Sequence, residues 1–170
     1  YAAFSSGKQP ELTKLPVQYA DFAAWQREWL SGEVLVSQLD YWKQQLDGLK
    51  TLELPTDRSR PPVQTYSGAA VHCTLPVELD NELREFFQQQ NVSPFMAFLA
   101  AFAVLLHRYC GQDDIVVGSP IANRNRSELE GLIGFFVNTL VMRTDVSGNP
   151  GFRELVRRVQ QTALGAYEHQ

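Results

Sequence analysis

Apolar residues recur at helical spacing along several stretches of the chain. In the first stretch, Phe22, Trp25 and Trp29 are three and four positions apart, which predicts a helix over residues 17–30 with one buried stripe. The same spacing predicts further helices over residues 34–46, 76–90 and 94–110, and a last one from residue 152 onward. The chain is therefore rich in amphipathic helices that need a common surface to pack on.

The helix over residues 94–110 carries signals at both ends. Ser93 followed by Pro94 is typical of a helix start, because the hydroxyl can cap the first turn and proline fits its first position. Gly111 is typical of the left-handed residue that ends a helix. The residues between them are apolar on nearly every side, so we expect this helix to be deeply buried.

The stretch over residues 135–143 has the pattern of a β-strand, with large apolar and β-branched residues throughout. Both of its faces are mostly apolar, which predicts a central strand covered on both sides. Asn138 would then lie between Phe136 and Leu140 on one face. A buried amide needs a hydrogen-bond partner, so Asn138 is either a satisfied core residue or part of a site.

Residues 68–75 and 114–122 are predicted as two further strands. The alternation of helices and strands indicates an α/β fold, with helices layered on a mixed sheet. Between the second and third helices, residues 51–67 form a proline-rich, extended connector. We place a lobe boundary there, which divides the chain into residues 1–66 and residues 67–170.

Composition narrows the function classes. The 170 residues suffice for one domain with a real core, and the formal net charge of −4 comes without any basic block, so we expect no nucleic-acid partner. No apolar run has the length of a membrane span, and we expect no membrane association. Cys73 and Cys110 are far apart and predict buried free thiols in a reducing, cytoplasmic compartment, although one disulfide stays open.

Motifs for common chemistries are missing. The chain has no P-loop, no Rossmann glycine fingerprint and no GxSxG nucleophile elbow. His72, His107 and His169 are isolated from one another, and none stands at metal-ligand spacing, so we expect no metal site. Pattern alone therefore leads to an α/β domain with one unusual amide.

Six stretches together resemble the condensation domains of nonribosomal peptide synthetases. YADFAAW (Tyr19–Trp25) resembles the fourth core motif of that family, and IGFFVNTLVMR (Ile133–Arg143) resembles the fifth. His169 and Gln170 resemble the opening of the sixth motif. The other similar stretches are LPTDRSRP (54–61), RYCGQDDIVVGSPIANRNR (108–126) and LEGLIG (129–134). The resemblance extends over essentially the whole chain.

The resemblance implies a fold and a reaction. The fold is that of chloramphenicol acetyltransferase, with two similar lobes and a tunnel between them, of which this chain would hold the end of the first lobe and part of the second. Carrier proteins bring aminoacyl and peptidyl thioesters into the tunnel on phosphopantetheine arms, and an amide bond forms in secondary-metabolite biosynthesis. The domain would bind no cofactor of its own, and an adenylation domain would lie next to it.

The resemblance also assigns roles to residues. Asn138, Phe135 and Phe136 are expected to line the substrate tunnel. The fourth-motif residues are expected to brace their helix against the active-site loop; they are Tyr19, Asp21 and Trp25. Arg143, which closes the fifth motif, is expected to form a structural ion pair. Glu130–Ile133 would belong to a segment that reaches across between the lobes.

The chain departs from the family in one respect. The catalytic signature HHxxxDG is absent, and no two histidines are adjacent. We expect the signature upstream of Tyr1, so that the chain is a piece of a longer polypeptide, holds no catalytic residue and is inactive alone. Lobes cut in this way would expose strand edges, and we expect the fragment to self-associate.

Three alternatives stay open. The first is an epimerisation or heterocyclisation domain of the same superfamily. The second is a catalytically dead member that recruits carrier proteins or tailoring enzymes. The third is a free-standing binding module unrelated to synthetases.

Overall fold

The computed structural model describes residues 2–9, 12 and 14–170, which fold into helices and a small sheet. The helices are α1 (Ala2–Ser5), α2 (Tyr19–Trp29), α3 (Gly32–Leu46), α4 (Val77–Gln90), α5 (Pro94–Cys110) and α6 (Phe152–Glu168). The strands are β1 (Asp114–Ile121) and β2 (Asn138–Asp145), with a 3₁₀ turn at Ser127–Leu129 between them. This mixture of helices and strands confirms the predicted α/β class.

Local capping explains where α5 begins and ends and where α2 begins. The Ser93 hydroxyl accepts the Met96 N–H at 3.2 Å, which caps α5, and Gly111 ends it with a φ of 68°. At α2, the Gln18 N–H donates to the Asp21 carboxylate at 2.8 Å. That carboxylate also lies at the positive end of the helix dipole. The predicted start and end of α5 are confirmed, whereas α2 begins at Tyr19, two residues after its predicted start.

Helix α5 has one buried and one exposed face. Its inner face packs on α6, where Ala100 and Ala103 of α5 and Val159 and Ala163 of α6 are completely buried. Its outer face is apolar yet exposed, and comprises Phe95, Phe98, Phe102, Leu105 and Tyr109. The expectation that α5 is buried all round is therefore wrong, because the described chain leaves most of this outer face uncovered apart from the contact of Phe98 with Phe87 of α4.

No single helix among the described residues is both long and apolar enough to cross a membrane. By length and composition only, α4 and α5 pass that test together as a pair bent by 103°.

The sheet is an antiparallel pair in the part of the chain that the structure describes. Val146 donates its N–H to the Asp113 carbonyl at 2.8 Å, and Gly118 lies beside Thr139, so the register runs antiparallel. On β2, Leu140, Met142 and Thr144 are buried on one face, while the opposite face is partly or fully exposed. The predicted central strand with two covered faces is therefore wrong.

Residues 68–75 do not form a strand and are exposed throughout. Alternating residues stabilise a strand only when a neighbouring strand completes its hydrogen bonds, and no described residue does so here. The predicted mixed sheet is accordingly reduced to two strands. Cys73 in this stretch is an exposed thiol and Cys110 is partly exposed, so the predicted burial of Cys73 is wrong, while both cysteines are free.

The chain forms two compact units. Residues 1–40 and 120–138 make up the first, and residues 41–119 and 139–170 make up the second. Each unit therefore combines two separate stretches of sequence. The units are groups of residues that pack on one another, and they do not test the lobe boundary after residue 66, which stays a prediction.

Candidate functional site

The fourth- and fifth-motif residues meet in an aromatic cluster within the first unit. We use this name for Tyr19, Phe22 and Trp25 of α2 together with Phe136. The Phe22 and Phe136 rings are 4.7 Å apart between centroids, and the Tyr19 ring meets the Phe136 ring edge-on at 5.2 Å. Phe22 and Phe136 are only 7% and 4% exposed. Aromatic pairs in these arrangements are each stabilising by about 0.5–1.5 kcal/mol beyond area burial.

Tyr19 also holds the backbone of the loop that precedes β2. Its hydroxyl donates to the Phe135 carbonyl at 2.9 Å. Its ring lies so close to Gly134 that a side chain at position 134 would contact the ring carbons. The backbone at residues 134–135 is thus held against α2, which explains why the predicted strand does not begin at Phe135 but three residues later.

The loop presents alternate residues to opposite sides. Leu132 and Phe136 are buried in the same hydrophobic cluster as Phe22. Ile133, Phe135 and Val137 point away from that cluster and are 96%, 76% and 47% exposed. We call these three residues the outward ridge. The arrangement yields an apolar surface that is supported from behind by α2.

Two arginines that the sequence reasoning missed complete the cluster. The Arg124 guanidinium lies over the Phe136 ring, 4.0 Å from its centroid, and also donates a hydrogen bond to the Leu129 carbonyl. Arg126 lies over the Trp25 ring at 4.6 Å. In the sequence they form the charged run NRNR, which resembles an ordinary solvated loop. The sequence signal available was the spacing of two, which places both side chains on one side of an extended segment.

The cluster borders a groove of about 320 Å³. Its wall combines apolar rings with both signs of charge, and the lining residues are Val17, Asp21, Phe22, Trp25, Arg126, Glu128 and Leu129. Asp21, predicted as a bracing residue, therefore has two roles in the structure: it caps α2 and lies at this groove.

The three residues predicted to line a substrate tunnel are placed differently from one another. Asn138 begins β2 and is exposed, so the prediction of a buried amide is wrong. Phe135 is exposed on the outward ridge, whereas Phe136 is buried in the aromatic cluster. Their assignment to a tunnel stays a prediction.

Arg143 lies in the second unit and forms an extended ion pair there. Its guanidinium donates to both carboxylate oxygens of Asp114, with the shortest contact at 2.9 Å. It also donates to the Gln45 and Asp47 carbonyls at 2.9 and 2.7 Å. The hydrogen bond to Asp114 raises the pKa of Arg143 above its ordinary value. Arg143 thereby ties β2 to β1 and to the end of α3, which is the ion pair that the resemblance implied.

His169, at the start of the sixth-motif resemblance, packs on α3. Its imidazole stacks on the Tyr41 ring at 3.8 Å, and its carbonyl accepts the Trp42 Nε1–H at 2.7 Å. Burial, and then the charge of Glu168, raise the pKa of Tyr41. The contacts fix the end of α6 to the end of α3.

The remaining histidines do not assemble a reactive centre. His107 Nδ1 is 2.9 Å from the Gln112 carbonyl and 3.3 Å from the Asp113 carboxylate, and His72 is exposed. Among the residues described by the structure, no three His, Cys, Asp or Glu side chains gather closely enough to hold a metal ion.

Comparison with protein families and curated proteins gives a consistent result. A family model described as Condensation domain matches residues 1–170. One of the linear gramicidin synthase proteins of Brevibacillus parabrevis is 56% identical over 171 aligned residues, which are 100% of this chain and 3% of that protein. Malpinin synthetase of Mortierella alpina is 46% identical, over 100% of this chain and 2% of that protein. The chain thus spans a small part of the relatives it matches.

Solved structures agree on the fold. The X-domain in its complex with OxyB from teicoplanin biosynthesis aligns with a TM-score of 0.88 and 32% identity, over 98% of this chain and 38% of that chain. The first condensation domain of the CDA synthetase aligns at 0.75 and 21% identity, over 98% and 36%. The chloramphenicol acetyltransferase-like fold class expected from the sequence is confirmed, with this chain representing a portion of it.

Proposed function

The chain belongs to the condensation-domain family, and we propose that it forms part of an acyltransferase-type domain that makes amide bonds in nonribosomal peptide biosynthesis. The observation that carries the proposal is the contact between the two motif stretches, in which Tyr19 binds the Phe135 carbonyl and packs on Phe136. This hydrogen bond joins two residues that are 116 positions apart in the sequence.

The reaction would proceed between two carrier-bound thioesters. The acceptor amine nitrogen attacks the donor thioester carbonyl carbon, the C–S bond breaks, the donor thiol leaves and the amine loses a proton. Such a step requires positioning of both reactants, a proton acceptor and stabilisation of an oxyanion. The chain contains no adjacent histidine pair, so we propose that the proton acceptor lies outside these 170 residues and that the chain alone is inactive.

The outward ridge is the part of the chain that we assign to the tunnel wall. Its apolar side chains suit the aliphatic portions of a phosphopantetheine arm, and the Asn138 amide at its end suits the amide groups of that arm. Phosphopantetheine would arrive as part of the substrate on a carrier protein. Phe136 would support the ridge from behind, since it is buried against Phe22.

The proposed partners are the aminoacyl and peptidyl carrier proteins and an adjacent adenylation domain of the same synthetase, working in the cytoplasm. For the 170-residue chain alone we also propose self-association, because the outer face of α5 is apolar and exposed. Light scattering at rising concentration checks this, and a monomer at every concentration contradicts it.

The proposal is tested with Asn138→Ala in the complete synthetase that contains the chain. Donor and acceptor carriers are loaded beforehand, and formation of the condensed thioester is followed by mass spectrometry. We expect Asn138→Ala to slow condensation about tenfold or more, as loss of a positioning hydrogen bond would. Asn81→Ala, on an exposed turn of α4, is the matched control and should leave the rate unchanged.

A recruiting platform is the second candidate function. The likeness to the X-domain that was solved in complex with OxyB favours it. Under this alternative the wild-type synthetase domain would bind carriers or a tailoring enzyme but form no amide bond, and Asn138→Ala would change neither behaviour.

A further inference from the structure

Phe136 is in contact with two aromatic rings and with a guanidinium cation. Tyr19 and Phe22 contact it from α2, at 5.2 and 4.7 Å between ring centroids. The Arg124 guanidinium covers it at 4.0 Å. A guanidinium over a ring is attracted by the electron density of the ring face, and this attraction is stronger where water is partly excluded. Phe136 is 4% exposed, so the pair lies in such a place.

Arg124 simultaneously binds the backbone of the same segment. It donates to the carbonyl of Leu129, a residue that is 3% exposed at the end of the 3₁₀ turn. One side chain therefore joins the start of the segment over residues 120–138, its central turn and the fifth-motif phenylalanine. The same carbonyl accepts the Leu132 N–H at 3.2 Å, so the Arg124 guanidinium adds a second hydrogen bond to that oxygen and ties the turn to the Phe136 ring.

Arg126 provides an internal comparison. Its guanidinium lies over Trp25 at 4.6 Å, but Arg126 is exposed and Trp25 only half-buried. A cation–π contact that remains hydrated contributes less than one that is partly desolvated. The two arginines thus present the same chemistry in two different degrees of burial.

We propose that Arg124 is a positioning residue, which fixes Phe136 against α2 and thereby sets the direction in which Ile133, Phe135 and Val137 face. Its effect on catalysis rests on the function proposed above, whereas its effect on the loop does not. Arg124 acts through Phe136 and the backbone and does not touch the reacting atoms in this role.

The test compares Arg124→Met, Arg124→Lys and Arg126→Met in the complete synthetase. Hydrogen exchange of the Leu132 amide, which donates to the Leu129 carbonyl at 3.2 Å, is measured first, since it needs no activity. We expect exchange at this amide to quicken about tenfold in Arg124→Met, to change little in Arg126→Met, and to be intermediate in Arg124→Lys, which keeps the charge but loses the planar fork.

The condensation rate is measured in parallel. We expect Arg124→Met to lower the rate at saturating carriers about tenfold, because the outward ridge loses its orientation. The carrier concentration for half-maximal rate should stay constant, because the substitution does not change how the carriers dock. Equal exchange in Arg124→Met and wild type would overturn the proposal, as would equal effects of the two methionine variants. If wild type makes no amide bond but exchange responds as expected, the positioning role stands and the proposed function fails.

Discussion

At the scale of single residues, Gly134 lies against the ring of Tyr19. A Cβ at position 134 would be 2.7 Å from the Tyr19 Cε2 atom, closer than atoms of these types approach one another. The ring cannot retreat freely, because the Tyr19 hydroxyl is bound to the Phe135 carbonyl and the ring edge packs on Phe136. The tight loop therefore requires glycine for its lack of a side chain and not for an unusual backbone angle.

Gly134→Ala should lower the free energy of unfolding by about 1–3 kcal/mol, the usual range for overpacking. Gly131→Ala is the matched control, since its Cβ would meet only the flexible end of the Leu15 side chain, at 3.1 Å. Urea denaturation of both variants measures the difference. Equal stability of Gly134→Ala and wild type would show that the Tyr19 ring does not occupy the position described.

At single residues, the sequence predicted the motif aromatics of the cluster but not the arginines that contact them. The resemblance singled out Tyr19, Trp25 and Phe136, and the structure brings them together. Arg124 and Arg126 could not be found in this way, because a cation–π contact depends on which ring the fold brings under the guanidinium. Asn138 was expected in a core because its neighbours are apolar, yet it precedes the residues of β2 that are buried.

At the scale of elements, α5 illustrates how a uniformly apolar helix acquires two unlike faces. Leu105 is 50% exposed, while the adjacent Leu106 is 8% exposed and faces the core. The two residues have the same chemistry, so any difference between them comes from packing alone.

Leu106→Ala should lower the free energy of unfolding by about 2–5 kcal/mol, through lost burial and the cavity that remains. Leu105→Ala should change it by about 0.5 kcal/mol or less, as at other surface positions. Both are measured by urea denaturation of the same chain, at protein concentrations where light scattering shows a monomer. Similar losses for the two variants at those concentrations would contradict the assignment of Leu105 to an uncovered face of α5.

Helix α6 carries a charge cluster near its start. Hydrogen bonds from Arg157, and then from Arg158, lower the pKa of the Glu154 carboxyl from its ordinary 4.5 to about 2. A carboxyl with a lowered pKa in the folded state stabilises that state above the unfolded pKa, and this contribution disappears as the pH falls towards the folded pKa.

Wild type should lose the stabilisation due to the ionised Glu154 as the pH falls from 4.5 to about 2. Glu154→Gln should lack this stabilisation at every pH. The melting temperature is measured by circular dichroism at a series of pH values. Between pH 4.5 and about 2 it should fall less steeply for the variant than for wild type, and above pH 4.5 it should be lower for the variant. Gln89→Ala, at an exposed position of α4, serves as a control that keeps the wild-type slope. A wild-type slope in Glu154→Gln would contradict the assigned ion pairs.

Element-level prediction succeeded where the signals are local. Ser93, Pro94 and Gly111 act within one turn of the helix ends they mark, so they predicted α5 correctly. Strand formation depends on a partner that is distant in sequence, and this is why residues 68–75 were predicted as a strand although none of the described residues pairs with them.

At the scale of the whole molecule, each compact unit is built from two stretches that are far apart in sequence. Hydrophobic periodicity identifies the helices but contains no information on which stretches pack together. The association of residues 120–138 with α2 was not predicted, because the resemblance paired the bracing helix with the active-site loop and not with the loop that precedes β2. The contacts that realise it are specific side-chain contacts, such as Tyr19 with Gly134.

The most direct measurement of the central claim is a single-turnover reaction of the wild-type synthetase that contains the chain. Donor and acceptor carriers are loaded and mixed with the synthetase. The mass of the acceptor carrier is then measured by intact-protein mass spectrometry. We expect the acceptor to gain the mass of the donor acyl group, less the hydrogen that its amine loses, while the donor carrier returns to its free thiol. An acceptor of unchanged mass, with carriers bound and the domain folded, would contradict amide formation and favour a recruiting role.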